Sequence, residues 1–185
     1  RVAVDVCERL GKQLVVAGPG TPPPLSKNVE YLGPVEADAR NRLMANARAL
    51  FVPTQYVEPF GNVAIEAMVS GTPVISTDWG AMTETVVHGV TGYRCRTLSE
   101  FVKAAQIVGE LDSLACHDHV VSNYSLPVIA EEYERHFRRL TKLWGKGWYE
   151  MEIDDVQYSA DGDGDGVRSR DAEPRAPAPA PATAA

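Results

Sequence analysis

The chain has 185 residues, 44% of them hydrophobic and 23% charged, with a formal net charge of −7. That composition suits one α/β domain with a sizeable core, and no apolar run reaches the length of a membrane-spanning helix. The charge is uneven: from Glu150 onward nine acidic and three basic residues give −6, which leaves −1 for residues 1–149 and no basic surplus to engage nucleic acid.

Residues 1–10 read as a helix with Val2, Val6 and Leu10 on one stripe, ended by Gly11. There is no initiator Met and no signal-peptide pattern. A chain that opens inside a helix–strand unit is expected to lack the strand before it. Residues 13–18 form a short buried strand, followed by a loop of Gly18-Pro19-Gly20 and Thr21-Pro22-Pro23-Pro24 at its carboxyl end. Residues 29–35 give a second strand, with Gly33-Pro34 after Tyr31-Leu32. Residues 36–47 are an amphipathic helix with Leu43, Met44 and Ala47 as the candidates for its buried face.

Strand 49–53 leads into the stretch that carries most of the chemistry. Residues 61–70 read as a helix of small and apolar residues closed by Gly71, and a helix apolar on nearly every face lies buried. Its polar exceptions, Asn62 and Glu66, stand four apart and share a face. Glu58 occupies the loop before the first turn. In open α/β sheets, ligands bind beyond the carboxyl ends of the strands, where such loops meet helix N-termini. Free N–H groups and the helix dipole make the Phe60-Gly61-Asn62 end an anion site. Two carboxylates beside it suit a ligand that carries a vicinal diol as well as phosphates. The plainer alternative is that Glu58 complements the dipole and Glu66 pairs with a surface arginine. Tyr56 and Trp79, in neighbouring loops, line the pocket of that ligand or serve as packing.

Strand 73–77 follows, then a short helix over 81–88 ended by Gly89, an outer strand over 92–96, and a helix over 99–111 with Phe101, Val102, Ala105 and Val108 inward. Strands that alternate with helices at this spacing predict a parallel, helix-flanked sheet. His117-Asp118-His119 lacks a third ligand at useful spacing and reads as a polar turn before Val120. Residues 127–148 form the last long helix, with Ile129, Tyr133, Phe137, Leu140 and Trp144 on one stripe. Its first half is expected to pack on the same domain, whereas Trp144, Trp148 and Tyr149 suit a partner that the sequence does not contain.

Three cysteines, Cys7, Cys95 and Cys116, are odd in number and far apart, which suits reduced thiols and a cytoplasmic location. Asp161-Gly162-Asp163-Gly164-Asp165-Gly166 begins like a calcium loop, but Ala172 stands where the last coordinating Glu belongs. A solvated acidic linker is the better reading. Residues 172–185 contain seven Ala and four Pro, a low-complexity composition that predicts disorder.

Glu58-Pro59-Phe60-Gly61, then Glu66-Ala67-Met68, then Gly71-Thr72-Pro73-Val74-Ile75, resemble the donor-site signature of retaining glycosyltransferases of family 4, which have two facing Rossmann-like domains (the GT-B fold). That family's E-x7-E pair matches Glu58 and Glu66. The similarity continues through Asp78-Trp79-Gly80, Thr83-Glu84 and Gly89-Val90-Thr91-Gly92-Tyr93, and spans roughly Leu14 to Ala105.

The resemblance implies that residues 1–149 are the C-terminal, nucleotide-sugar-binding half of a GT-B fold and that residues 150–185 are a disordered tail. It implies transfer of a sugar from a nucleoside-diphosphate-sugar donor to an acceptor, with retention of configuration and no metal or other cofactor. It assigns the catalytic role to Glu58, on the donor-sugar hydroxyls, and the ribose hydroxyls to Glu66. The Phe60, Gly61 and Asn62 amides would hold the sugar and diphosphate. The loops at Gly18 and Gly33 would lie near the nucleotide, although the first is equally read as a plain surface connection. The partners implied are the donor, an unidentified acceptor (glycan, lipid or small molecule) and an N-terminal domain absent from this sequence. The family's phosphate-binding Arg and Lys lie upstream of Arg1, so the chain alone is expected to be inactive. Two alternatives stand: a non-catalytic nucleotide-sugar- or partner-binding remnant, and another GT-B enzyme such as a nucleotide-sugar epimerase or a phosphorylase.

Overall fold

The computed structural model describes residues 1–144, with side chains through Lys142. The expectations for Trp144 as a side chain, for Trp148 and Tyr149, for the domain boundary at 149/150 and for the acidic and Ala/Pro-rich segments lie outside the described residues.

Alternation of helix and strand builds a parallel α/β architecture, as the spacing predicts. Helix α1 (Val2–Leu10) packs on β1 (Leu14–Ala17) and on a later helix, so it buries two sides, Val4 and Val6 with Cys7. The expected stripe holds, with Val6 fully buried and Val2 and Leu10 partly buried against the same core, and Val4 and Cys7 widen the covered face. Strand β1 pairs in parallel with β2 (Val29–Gly33). β1 is covered on one face only, and Val15 is exposed, contrary to the expected buried strand. Helix α2 (Ala37–Asn46) buries Met44, while Ala47, its C-cap, is exposed instead of inward.

Strands β3 (Leu50–Val52), β4 (Val74–Thr77) and β5 (Gly92–Cys95) form a second parallel sheet in that order. The hydrogen bonding therefore makes two sheets where the sequence predicts one. β3 is only three residues long, and its ladder goes to β4. β4 is buried along its whole length, and its period of two sends adjacent residues into different cores. Val74 joins Val52, Ala64, Ala67, Met68, Met82, Cys116 and Val120 on one face. Ile75 joins Val6, Cys95, Phe101, Ala104 and Val108 on the other. Each large side chain buried in this way is worth about 1.5–3 kcal/mol of transfer free energy.

Helix α3 (Asn62–Val69) buries Ala64, Ala67 and Met68 but leaves Val63 and Val69 exposed, so only one side of this apolar helix is covered. Helix α4 (Met82–Thr85) is shorter than the 81–88 expected, and α5 (Leu98–Ile107) continues into a 3-10 turn at Val108–Glu110. A capping box of Thr97 and Glu100 starts α5. The His117-Asp118-His119 segment is not a turn; it lies inside helix α6 (Ser113–Tyr124), which packs against α3. Two signals foretell α6: Asp112, whose side chain caps Leu114 N–H, and the four-residue spacing of Cys116, Val120 and Tyr124.

Arg1–Ser125 form one unit, and a second begins at Leu126 with helix α7 (Leu126–Trp144). On α7, Tyr133, Phe137 and Leu140 are exposed, and the rings of Tyr133 and Phe137 lie 5.9 Å apart. No helix among the described residues is long and apolar enough to cross a membrane.

Candidate functional site

The loops that leave β3 and β4 are tied together at the carboxyl edge of the three-stranded sheet. Thr77 Oγ1 donates to the Thr54 carbonyl at 3.0 Å, and the two threonine hydroxyls stand 3.2 Å apart. Further out, Trp79 Nε1 donates to the Tyr56 carbonyl at 3.2 Å, and Ala81 N–H donates to the Glu58 carbonyl at 2.8 Å. Gly80, at φ 60°, lies between them, and a Cβ there would stand 2.8 Å from both the nitrogen and the oxygen of Glu58. Only glycine lets the second loop close on the first.

The Glu58 carboxylate is held at both oxygens. Tyr56 Oη donates to Oε2 at 2.7 Å and Gly61 N–H donates to Oε1 at 3.1 Å. The Tyr56 phenol, beside this carboxylate and donating to it, is pushed above its ordinary pKa. The Gly61 amide therefore does not stand open as the sequence predicts: it is spent on Glu58. Gly61 takes φ 82° as the N-cap of α3, which leaves the Asn62 and Val63 N–H groups without an acceptor among the described residues. Of the expected Phe60, Gly61 and Asn62 amides only that of Gly61 is taken up by Glu58, and Val63 N–H adds a further open donor. The Phe60 ring is exposed on its loop and meets Tyr124 edge-on, with centroids 6.0 Å apart.

Glu66 lies one turn further along α3 and holds Arg40 of α2. Arg40 Nη2 donates to Oε1 at 3.2 Å, and Nε stands 3.0 Å from Oε2, off the hydrogen-bonding axis. This is the surface-arginine pairing allowed by the plainer reading. Both side chains remain about two-fifths exposed (42% and 40%), and a carboxylate has about four acceptor positions, so Glu66 is not saturated.

Gly18 and Gly33 meet each other at the carboxyl ends of β1 and β2. Gly18 N–H donates to the Gly33 carbonyl at 2.8 Å, and Tyr31 Oη donates to the carbonyls of Gly18 at 2.9 Å and Gly20 at 3.1 Å. Among the described residues no hydrogen bond joins this pair to the Glu58 or Glu66 clusters. At the end of β5, Asp78 sits between two arginines, 2.8 Å from Arg96 Nε and 3.6 Å from Arg94 Nε, while Arg94 Nη1 donates to the Thr83 carbonyl at 2.8 Å.

Among the described residues no three His, Cys, Asp or Glu side chains cluster as a metal site. His119 instead places Nε2 3.1 Å from the Thr85 carbonyl. Sequence reasoning did not single out Arg40, and it left Tyr56 undecided. The position of Tyr56 two residues before Glu58 was the one available signal for the latter.

Residues 2–110 match the family model described as glycosyl transferases group 1. An uncharacterized glycosyltransferase of Methanocaldococcus jannaschii is 34% identical over 102 residues, which cover 50% of this chain and 26% of that protein. Glycogen synthase of Mycobacterium tuberculosis is 30% identical over 115 residues, 57% of this chain and 28% of that one. Among solved structures, AviGT4, a glycosyltransferase involved in avilamycin A biosynthesis, superposes with a TM-score of 0.59 at 29% identity and covers 75% of this chain and 46% of that one. The chain thus spans about a quarter of the length of these two relatives and under half of AviGT4. With its Rossmann-like parallel architecture and the family match over most of the first unit, the chain belongs to the group 1 glycosyl transferases, of GT-B type.

Proposed function

We propose that this chain supplies the donor-binding half of a retaining glycosyltransferase. The observation that carries the reading is the Glu58–Gly61 hydrogen bond at 3.1 Å. It fixes a carboxylate beside the free Asn62 and Val63 amides at the carboxyl edge of the sheet, so that hydroxyl acceptors and anion donors share one place. In this assignment Glu58 is the catalytic-site carboxylate on the donor-sugar hydroxyls. The spare acceptor positions of Glu66 take the ribose hydroxyls, and the N-terminus of α3, with Phe60, Gly61 and Asn62 around it, takes the diphosphate. Gly18 and Gly33 belong to the loops nearest the nucleotide.

The reaction breaks the bond from the anomeric carbon to the diphosphate oxygen and forms one from the acceptor oxygen on the same face. The acceptor's proton passes to the leaving phosphate, so the step balances without a redox partner or a metal. The helix N-terminus stabilises charge that grows on the leaving group. The acceptor and the facing domain are supplied from outside residues 1–144, and the three buried free thiols suit a reducing compartment.

The test is isothermal titration of residues 1–185 with UDP, ADP and GDP and with UDP-glucose, ADP-glucose and GDP-mannose. Transfer assays are run on the same chain and on the chain joined to an acceptor-binding domain. Binding of one nucleotide series, with transfer only in the joined protein, is expected. Binding of none sinks the assignment.

A further inference from the structure

Around Glu58 the surface is aromatic and open: Tyr56 is 61% exposed, Trp79 37% and Phe60 41%. Exposed aromatic area is costly unless something covers it, and here the polar handles of two of these rings are already used. The indole N–H of Trp79 donates to the Tyr56 carbonyl, and the Tyr56 hydroxyl donates to Glu58 Oε2. What the pair offers to solvent is therefore ring surface, and beside it stands a carboxylate with acceptor positions to spare. A flat apolar surface next to a hydroxyl acceptor is complementary to a pyranose, whose C–H face is apolar and whose rim is a ring of O–H donors.

We propose that Tyr56 and Trp79 form an aromatic wall for the hexose of the donor, and that Tyr56 is a positioning residue that fixes the rotamer of Glu58 toward that hexose. The proposal rests on the donor-site reading and deepens it. Two restraints act on the carboxylate, one from backbone (Gly61 N–H) and one from side chain (Tyr56 Oη). Removal of the second leaves Glu58 held by the Gly61 amide alone. The ring of Tyr56 and the hydroxyl of Tyr56 thus do separable work, and Tyr56→Phe removes only the second.

The experiment is isothermal titration of residues 1–185 and of its Tyr56→Phe, Tyr56→Ala and Trp79→Ala forms, each checked for fold by circular dichroism. UDP is compared with UDP-glucose, and ADP with ADP-glucose, so that the readout is the extra affinity supplied by the sugar. Tyr56→Phe should leave nucleoside-diphosphate binding unchanged and lower the sugar increment at least about tenfold, the scale of one hydrogen bond to a charged group. Tyr56→Ala and Trp79→Ala should abolish it. An unchanged sugar increment in all three overturns the proposal, and so does an equal loss for UDP and UDP-glucose, which would put the base or the loop's stability on these rings. If the unaltered chain binds no nucleotide, the donor-site reading fails by itself. The wall is then tested by saturation-transfer NMR with maltose alone: transfer lost in Tyr56→Ala supports it, and no transfer to maltose from the unaltered chain overturns it.

Discussion

The amide of Ala81 donates to the carbonyl of Glu58 at 2.8 Å, so the loop after β4 determines where the loop after β3 can stand. Gly80 makes that closure possible. Gly80→Ala introduces a Cβ that collides with the Glu58 backbone at φ 60°. The left-handed conformation alone costs roughly 1–2 kcal/mol for a residue with a Cβ. We expect that loss in thermal unfolding, together with a loss of nucleotide-sugar affinity that a buried substitution of equal stability cost does not produce. Titration of both variants at one temperature makes the comparison.

Arg40 and Glu66 form an ion pair that is 42% and 40% exposed. Solvent screens such pairs, and measured couplings at exposed sites run about 0.2–1 kcal/mol. A double-mutant cycle of Arg40→Ala and Glu66→Gln in denaturant unfolding should therefore give a coupling below about 1 kcal/mol. Nucleotide binding should respond differently. Glu66→Gln removes the charged acceptor for a ribose diol, whereas Arg40→Ala frees two of its acceptor positions. Titration with UDP and ADP should show weaker binding for the first and equal or tighter binding for the second.

The fold was legible wherever hydrophobic period and turn residues agreed. Strand β4 is the clearest case: Pro73-Val74-Ile75-Ser76 is a short apolar run, and a strand buried on both faces must read that way. Helix α6 left only two sparse signals, the Asp112 cap and the spacing of Cys116, Val120 and Tyr124, among polar residues that look like a loop. At the site, the motif located Glu58 and Glu66 but could not say what already occupies them. The claim of Glu58 on the Gly61 amide is a side-chain rotamer, and the reach of Arg40 to Glu66 joins positions 26 apart in sequence. Neither leaves a periodic trace in the chain.

Helix α3 offers an internal comparison, since Met68 is fully buried and its neighbour Val69 is 41% exposed. Truncation of Met68 removes a side chain from the core that Val52, Val74 and Met82 share. Met68→Ala should cost about 2–5 kcal/mol, as buried large-to-small changes do. Val69→Ala should stay within about 0.5 kcal/mol. Urea unfolding measures both, and equal costs would mean that the helix is covered on its outer side.

Alkaline pH should destabilise this protein through its thiols. Burial pushes the thiol of Cys95 up to about 12 and that of Cys116 up to about 11, from an ordinary value of 9.0, and raises Cys7 as well. Nearby carboxylates add to the shift: Glu100 and Asp78 for Cys95, and Asp112 for Cys116. A folded-state value above the unfolded one means that the native chain keeps protons which the unfolded chain gives up. The unfolded state therefore binds fewer protons above pH 9, and stability falls with rising pH. The contribution is complete below about pH 9 and is lost progressively up to the folded-state values of about 11 and 12. Melting temperatures at pH 7, 9 and 10.5 should drop for the unaltered chain, and the drop should be shallower in Cys95→Ala and Cys116→Ala, whatever each substitution costs at pH 7. Parallel curves for all three would place the alkaline sensitivity outside these two thiols.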